Sequence, residues 1–460
     1  MLKTENKNFY KNFFIMLVTI AMQNMLVYGV NLADNIMLGS YSELAMSGAS
    51  LVNQIQFLLQ MLIGGVGDGI IVIASRHWGE GDVGSVKRAS SVGMRWGLAF
   101  AAVMLAAALF FPTQALGILT NKADLIEEAA RYLGIIGFTY PIFALTNILL
   151  ATLRSVETTR IGFFISLSTL ITNVALNYIL IFGNFGAPEM GIRGAATATL
   201  ISRIIELVIV TIYAVFADRK LHLRLRDFFI NCGDMPKRFL KTSVPVILSG
   251  ASWGIAMGLQ TAILGRLDNS VVPANSIAAT VFSLVTVFIY GSASASSVVL
   301  GKSIGENKKA VSAGIMTSEE NFIDIKNKSR ILQIVYLALG IITAAVLFVL
   351  KGFIIRFYDI SPETALLADR FMCVLCVTVI GTAYQMPALS GIVRAGGDTG
   401  FVFRNDLIFM WGIVLPSSFA AAFLLKLDPV IVFLCLKSDQ ILKCAVAAVK
   451  VNRFKWIRDI

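Results

Sequence analysis

Long apolar segments, separated by short polar connections, run along the whole chain. A helix needs roughly 20 mainly apolar residues to cross the hydrocarbon core of a bilayer. The pattern therefore predicts an all-α integral membrane protein with twelve transmembrane helices. The predicted spans cover residues 13–37, 48–74, 91–111, 132–152, 161–182, 194–216, 242–264, 274–299, 331–350, 371–393, 405–424 and 429–449.

The longest polar connection, residues 217–241, divides the predicted spans into two sets of six. We therefore expect an N-terminal six-helix lobe at 1–216, a cytoplasmic linker at 217–241 and a C-terminal six-helix lobe at 242–460. The polar N-terminus leads into an apolar run that is too long for a signal-peptide core, and no cleavage pattern follows it. The first segment should remain in the protein as a membrane helix.

Composition supports the membrane assignment and excludes a soluble protein. Hydrophobic residues make up 57% of the 460 positions, charged residues make up 15%, and the mean hydropathy is +0.76. A soluble domain of this length would carry about a quarter charged residues. The net charge of +11 lies in short loops and forms no continuous basic stripe. We therefore expect no nucleic-acid partner.

The distribution of basic residues predicts the orientation of the chain. Counted over alternate connections, 27 Lys and Arg residues lie on the side of the two termini and 8 on the opposite side. Because cytoplasmic loops carry the excess of Lys and Arg, both termini should be cytoplasmic. The expected location is the plasma (inner) membrane, crossed many times.

The two halves of the chain repeat each other at a spacing of 226 residues. At that shift DNIMLGSYSELAMSGAS (34–50) aligns with QTAILGRLDNSVVPANS (260–276), and SRHWGEGD (75–82) aligns with GKSIGENK (301–308). Each half has an even number of spans, so both copies enter the membrane in the same direction. Parallel repeats of this kind are typical of transporters that alternate access to a site. The identical pairs include Gly39/Gly265, Ser50/Ser276, Gly65/Gly291, Gly79/Gly305 and Glu80/Glu306.

Several segments together resemble the multidrug and toxic compound extrusion (MATE) family, bacterial type. The most specific is NVALNYILIFGNFGAPEMGIRGAATATLIS (173–202). YGVNLADNIMLG (28–39), the two GE loops aligned above, and VRAGGDT (393–399) fit the same pattern. The resemblance covers the chain from end to end. It implies a V-shaped, two-lobe, twelve-helix antiporter that exports organic cations in exchange for protons or sodium ions.

The resemblance also implies a coupling site in the N-terminal lobe. The matching positions are Asp34 on the first span, Asn173 and Asn177 on the fifth, and Thr199 on the sixth. The chain departs from many members at Asn177, where they carry a second aspartate. It also lacks an acid in VPVILSGASWGIAMG of the seventh span, where some sodium-coupled members have a glutamate. A sodium site rich in carboxylates is therefore not expected in the C-terminal lobe.

Asp34 is the leading candidate for the coupling residue because it lies in an apolar segment, where a charge is costly. A carboxyl group there can change its protonation state as its surroundings alternate between wet and dry. The alternative is an exposed aspartate near the outer end of the helix. Asn173 and Asn177 are four residues apart and share one helix face. They could orient Asp34, or they could only join helices, as Thr199 could bond only its own backbone.

Arg203 and Glu206 are three residues apart near the middle of the sixth span. They are expected to form a buried structural pair, with a second relay toward Asp34 as the alternative. We expect no metal or organic cofactor; the coupling ion would be a proton or a sodium ion. The expected partners are small, cationic substrates and the lipid bilayer, and the expected state is a monomer.

Other functions remain open at this point. A flippase for lipid-linked glycan precursors would have a related two-lobe architecture and several cations in its cavity, with Arg95 and Arg203 as candidates. A membrane receptor without transport activity is another possibility. An enzyme is not expected, because His77 and His222 are the chain's two histidines, both in predicted loops, and no motif pairs a nucleophile with a base.

Overall fold

The computed structural model describes residues 2–268, 270–356 and 360–458, and it describes them as helices joined by turns, with one isolated antiparallel bridge between Gly397 and Ile457. The α-helices in chain order are α1 (Leu2–Tyr41), α2 (Glu43–Glu80), α3 (Val83–Phe110), α4 (Pro112–Gly117), α5 (Ala123–Ile136), α6 (Thr139–Ser155), α7 (Arg160–Leu180), α8 (Ile192–Ile212), α9 (Met235–Leu264), α10 (Val271–Val285), α11 (Val287–Ser312), α12 (Ser318–Ile355), α13 (Pro362–Met386), α14 (Thr399–Leu407), α15 (Leu415–Phe419), α16 (Pro429–Leu436) and α17 (Asp439–Asn452). Wider π-helical turns continue three of the apolar segments, at Tyr213–Ala217, at Pro387–Val393, and at Ile408–Val414 and Ala420–Leu424. Short 3₁₀ turns occupy Asn184–Gly186 and Leu225–Phe229.

Ten helices within the described ranges are long and apolar enough to cross a bilayer, and α5 with α6 form an eleventh candidate that is bent by 51°. The all-helical membrane architecture expected from the sequence is confirmed. Three predicted spans are interrupted: the fourth between α5 and α6, the eighth at Thr286 between α10 and α11, and the twelfth between α16 and α17. At Thr286 the side-chain hydroxyl donates to the carbonyl of Phe282 at 2.7 Å. Such bonds compete with the regular helix pattern.

The chain divides into two compact units that do not coincide with its sequential halves. The N-terminal unit contains residues 22–74 and 82–247. The C-terminal unit contains the described residues up to Ala21, Ser75–Gly81, and the described residues from Leu248 onward. α1, α2 and α9 each contribute residues to both units. The lobes predicted at 1–216 and 242–460 follow the sequence repeat and remain a prediction.

Each unit has its own apolar core. In the N-terminal unit, side chains from α1, α2, α3, α5, α6 and α8 pack together, with Tyr132 and Tyr140 among the largest. In the C-terminal unit, the Phe371 and Phe433 rings stack with centroids 4.2 Å apart. Around them lie Leu264, Val281, Leu347, Leu375, Val432 and Leu436.

Close helix contacts reproduce the 226-residue repeat. In the N-terminal unit, Gly65 lies so close to α9 that an added Cβ would be 2.7 Å from the Cα of Ile247. In the C-terminal unit, a Cβ on Gly291 would lie 2.8 Å from the carbonyl oxygen of Leu17 and 3.3 Å from the nitrogen of Ala21. Gly65 and Gly291 are equivalent under the repeat, and so are Ile247 and Ala21. The two halves of the sequence therefore build equivalent helix crossings.

Candidate functional site

Asp34 lies on α1 in the N-terminal unit, and Asn177 of α7 holds its side chain. The Asn177 Nδ2 atom donates to Oδ1 of Asp34 at 2.5 Å. Asn177 has no exposed surface, and Asp34 is partly buried. A carboxylate in low-polarity surroundings is stable only when it is hydrogen-bonded or paired, and Asn177 supplies that bond.

A chain of hydrogen bonds continues from Asp34 through α7 to α8. Asn177 Nδ2 also donates to Oδ1 of Asn173 at 3.2 Å, and Asn173 Nδ2 donates to the Thr199 hydroxyl oxygen at 3.3 Å. The four residues named from the resemblance are thus in one network. Their spacing explains the geometry, because Asn173 and Asn177 lie on one face of α7 in successive turns, where Asn177 reaches α1 and Asn173 reaches α8.

The network borders a cavity that is formed within the N-terminal unit and includes Asp34 in its wall. Its wall mixes aromatic rings with neutral polar groups. The lining residues are Val30, Asn31, Asp34, Asn53, Gln56, Leu59, Gln60, Tyr132, Thr139, Tyr140, Phe143, Thr169, Asn173, Thr199, Ser202 and Arg203.

Arg203 brings a positive charge to this cavity, and Glu206 pairs with it. Nη1 of Arg203 donates to Oε2 of Glu206 at 2.7 Å, and the Glu206 side chain is 6% exposed. The guanidinium also lies over the Phe143 ring, 5.2 Å from its centroid. The predicted pair between Arg203 and Glu206 is present in the structure. Arg203 also acts electrostatically on Asp34, so the pair belongs to the surroundings of the carboxylate.

Three polar side chains of α2 complete the cavity wall, and the sequence interpretation missed them. Asn53, Gln56 and Gln60 lie three and four residues apart on that helix, which places them on one face. A polar face within an apolar span is itself a signal of an interior site. Tyr132 of α5, which is 3% exposed, reaches the same cavity and interacts with Thr199.

The equivalent position in the second half of the chain has no ionisable group. Gln260 of α9 aligns with Asp34 under the repeat, and its side chain is 6% exposed. Its Nε2 atom donates to the thioether sulfur of Met410 at 3.4 Å. The two halves therefore share a fold but differ in chemistry at this place.

Arg95, the second cation expected of a flippase cavity, lies elsewhere. It is an exposed residue of α3 whose Nη2 atom donates to the carbonyl oxygen of Ile230 at 2.8 Å. Arg95 therefore attaches the linker at 217–241 to α3. Of the two cations named from the sequence, Arg203 lines the cavity and Arg95 does not.

Comparison with known proteins decides the family. The MatE family model matches residues 19–179 and 245–420, which together make up most of the chain. The chain belongs to the MatE family. MatE proteins are membrane transporters and not enzymes, so the expectation that this chain is not an enzyme is confirmed.

Similar proteins occur in several bacteria. The uncharacterized transporter YisQ of Bacillus subtilis is 24% identical over 394 residues, which cover 84% of this chain and 82% of YisQ. Two proteins described as probable multidrug resistance protein NorM have comparable sequence identity to this chain. That of Streptococcus pneumoniae is 23% identical, with 85% and 83% of the two chains covered, and that of Thermotoga maritima is 25% identical, with 86% and 82% covered.

Solved MatE structures share the fold. A crystal structure of MATE in complex with MaL6 superposes with a TM-score of 0.84 at 17% identity, over 97% of each chain. A MOP superfamily transporter from Pyrococcus furiosus superposes with a TM-score of 0.84 at 17% identity. The superposition covers 96% of this chain and 95% of the Pyrococcus chain. The two-lobe, twelve-helix membrane fold expected from the sequence is thereby confirmed.

Proposed function

We propose that this protein is a secondary active antiporter that exports organic cations or other lipophilic compounds in exchange for protons or sodium ions, by alternating access. The observation that carries the proposal is the hydrogen-bond chain from Asp34 through Asn177 and Asn173 to Thr199 at the wall of the cavity. The NorM relatives, described as probable multidrug resistance proteins, support the choice of substrate class.

The charges of the site give the exchange a physical basis. With Asp34 ionised, the group formed by Asp34, Arg203 and Glu206 carries one net negative charge and attracts a cation. Protonation of Asp34 removes that charge, and the attraction for a cationic substrate falls with it. A proton and a cationic substrate therefore compete for the same carboxylate, which is the property that an antiporter requires.

Asn177 suits both protonation states of Asp34. Its Nδ2 atom donates to the carboxylate, while its Oδ1 atom is buried and accepts no hydrogen bond from any described residue. Because an amide carries a donor on one side and an acceptor on the other, rotation of the group presents Oδ1 to a protonated Asp34. An asparagine at this position thus supports proton coupling without a second carboxylate.

The transport cycle follows from this competition. A substrate enters from the cytoplasm or the inner leaflet, the lobes rock to open outward, and a proton from outside binds Asp34 and releases the substrate. Return of that proton carries one charge inward, which is driven by about 2.3 kcal/mol per 100 mV of membrane potential. The coupling site then consists of Asp34, Asn173, Asn177 and Thr199, with Arg203 and Glu206 as the charged pair beside it.

The remaining features of the proposal rest on the sequence and the relatives. Both termini are placed in the cytoplasm of a bacterial cell, with the protein in the plasma (inner) membrane, since Lys and Arg concentrate in the loops on that side. The protein works as a monomer with lobes at 1–216 and 242–460, joined by the linker at 217–241. A flippase is not favoured, because Arg95 binds the linker and only one of the two named cations lines the cavity.

Transport in sealed vesicles tests the proposal. Purified protein is reconstituted, a fluorescent organic cation such as ethidium is loaded, and an inward proton gradient or an inward sodium gradient is imposed separately. Substrate efflux that accelerates with the proton gradient supports antiport through Asp34. The absence of flux under either gradient would favour a receptor and contradict the proposal.

A further inference from the structure

The linker between the two halves of the chain is attached along one face of α3. Lys87, Ser91 and Arg95 lie four residues apart on that helix, so they share a face. Ser91 Oγ donates to the carbonyl oxygen of Phe228 and Arg95 Nη2 donates to that of Ile230, both at 2.8 Å. Lys87 Nζ donates to Oδ2 of Asp227 at 2.7 Å. The linker therefore has a fixed orientation, and its inner and outer faces can be distinguished.

Side chains alternate between these two faces in the segment LHLR. Leu221 and Leu223 are 2% and 1% exposed, whereas His222 and Arg224 are exposed. His222 has a positive φ of 47°, so the segment is a turn that buries the two leucines and exposes the two residues after them. Polar and basic groups therefore occupy the outer face of the linker.

The two acidic side chains next to the arginines, Asp218 and Asp227, are used internally, whereas Asp234 further along the linker is exposed. Asp218 is 3% exposed and accepts the backbone N–H of Leu221 at 2.8 Å. Burial alone would raise the pKa of the Asp227 carboxyl, but the bonds from Lys87 and from the Arg224 N–H hold it below its usual range. Asp227 thus stays ionised and paired with Lys87 at neutral pH.

Two arginines remain directed to the outside. Arg219 and Arg226 are exposed, and neither makes an ion pair with a described residue. Lys220 lies beside them and donates to the carbonyl oxygen of Val156 at 2.5 Å. The outer face of the linker is therefore strongly positive.

Exposed aromatic side chains accompany these charges. Phe229 is 86% exposed, although its neighbours Phe228 and Ile230 are held on α3 by their carbonyl groups. Phe216, just before the linker, is 83% exposed, and Trp96, next to Arg95, is 37% exposed. A large apolar ring held outward beside cations is the combination found where proteins meet the surface of a bilayer.

We propose that this outer face, formed by Arg219, Arg224, Arg226 and Phe229, binds the headgroups of anionic phospholipids. The linker contacts the N-terminal half of α3, a helix long and apolar enough to cross a bilayer, so its outer face is expected to lie near the headgroups. The arginines pair with lipid phosphates, and Phe229 enters the apolar boundary beneath them. The anionic leaflet next to a cytoplasmic loop supplies the charge complement, so this inference uses the orientation proposed above but not the transport mechanism.

Native mass spectrometry of the full-length protein tests the inference without any transport measurement. The purified protein in detergent is titrated with equimolar phosphatidylglycerol and phosphatidylcholine, and the ratio of the two dissociation constants is measured. Arg219→Gln with Arg226→Gln should reduce the preference for phosphatidylglycerol by about 25-fold, since a Lys or Arg near an anionic surface contributes ~1 kcal/mol, or about fivefold. Phe229→Ser should weaken both lipids equally and leave the ratio unchanged.

Two matched controls make the result decisive. Lys122→Gln with Arg193→Gln removes two exposed cations at the N-terminal ends of α5 and α8 and should leave the ratio as in the wild type. Arg219→Lys with Arg226→Lys keeps the charge and should retain the preference. This control distinguishes an effect of lost charge from an effect of altered folding. Soluble glycerol phosphate at millimolar concentration should not compete. An unchanged ratio in the glutamine variant, an equal loss in the Lys122/Arg193 control, or full competition by glycerol phosphate would each overturn the inference.

Discussion

Gly79 of α2 and Gly305 of α11 occupy equivalent places at a single helix crossing in the C-terminal unit. An added Cβ on Gly79 would lie 2.1 Å from the carbonyl oxygen of Lys302, and one on Gly305 would lie 2.0 Å from that of Arg76. Lys302 and Arg76 are themselves separated by 226 residues, as are the two glycines. The repeat therefore brings its own equivalent positions into contact, and both positions require glycine because the backbones touch.

Replacing Gly305 with alanine should destabilise the protein. The new methyl group would overlap the backbone of α2, and overpacking of this kind costs roughly 1–3 kcal/mol. We expect a lower Tm in detergent for Gly305→Ala and for Gly79→Ala. Gly64→Ala on α2 is the control, because nothing lies within 4 Å of its Cβ position. A Tm as high as that of Gly64→Ala in both variants would show that the crossing tolerates a side chain.

The Arg203–Glu206 pair should show the energetics of a buried ion pair. Removing Arg203 leaves the Glu206 charge buried without its ion pair, which costs roughly 3–5 kcal/mol. Removing Glu206 should cost less, because the Arg203 side chain is 21% exposed. Arg203→Gln and Glu206→Gln should therefore each lower the Tm, and the double variant should recover much of the loss. If transport also recovers in the double variant, the pair is structural. If transport stays absent while stability returns, the pair is part of the relay.

Asn177→Leu should impair coupling and leave the fold intact. The substitution keeps the approximate volume but removes the donor to Asp34, and hydrogen bonds to charged groups contribute roughly 1.5–3 kcal/mol. We expect the apparent affinity for the coupling ion to change about tenfold or more. The measurement is the dependence of efflux on proton or sodium concentration. Asn147→Leu is the control, because the Asn147 amide bonds the Phe143 carbonyl of its own helix; equal effects of both substitutions would remove Asn177 from the site.

Trp456→Ala should weaken the packing of the C-terminal residues against the rest of the C-terminal unit. Trp456 is fully buried against Gly396, and Arg76 donates to the carbonyl oxygens of Ala395 and Arg458 at 2.9 and 2.6 Å. Truncating a buried tryptophan costs roughly 3–5 kcal/mol. We expect a clearly lower Tm and faster proteolysis near the C-terminus. Trp253→Ala, at a side chain that is 39% exposed, should have little effect on either quantity.

Most of the fold could be predicted from hydropathy, because a membrane helix must satisfy its backbone internally and so forms a long apolar segment. Hydropathy does not report interruptions within such a segment. The predicted span at 274–299 is divided at Thr286, and the predicted span at 429–449 is divided into α16 and α17. Each break is only one or two residues long, and an average of hydropathy over a window cannot reveal so short an interruption.

The residues of the candidate site were likewise predictable only in part. Asp34 and Asn177 were predictable because an acid in an apolar span is rare and because the motif around Asn177 is specific. The contact between them depends on how α1 packs against α7, which no local pattern contains. Asn53 and Gln56 were missed although their spacing places them on one face of α2. Spacing alone does not say whether such a face meets a cavity or another helix.

The central claim is that Asp34 couples substrate export to an ion gradient, and the Asp34→Asn variant tests it most directly. Wild type and variant are reconstituted in vesicles and compared for efflux of an organic cation under an imposed proton gradient, with Asp124→Asn at an exposed position as the control. We predict that the variant retains its Tm but loses gradient-driven efflux, while Asp124→Asn transports like the wild type. Full proton-driven efflux by Asp34→Asn would contradict the account.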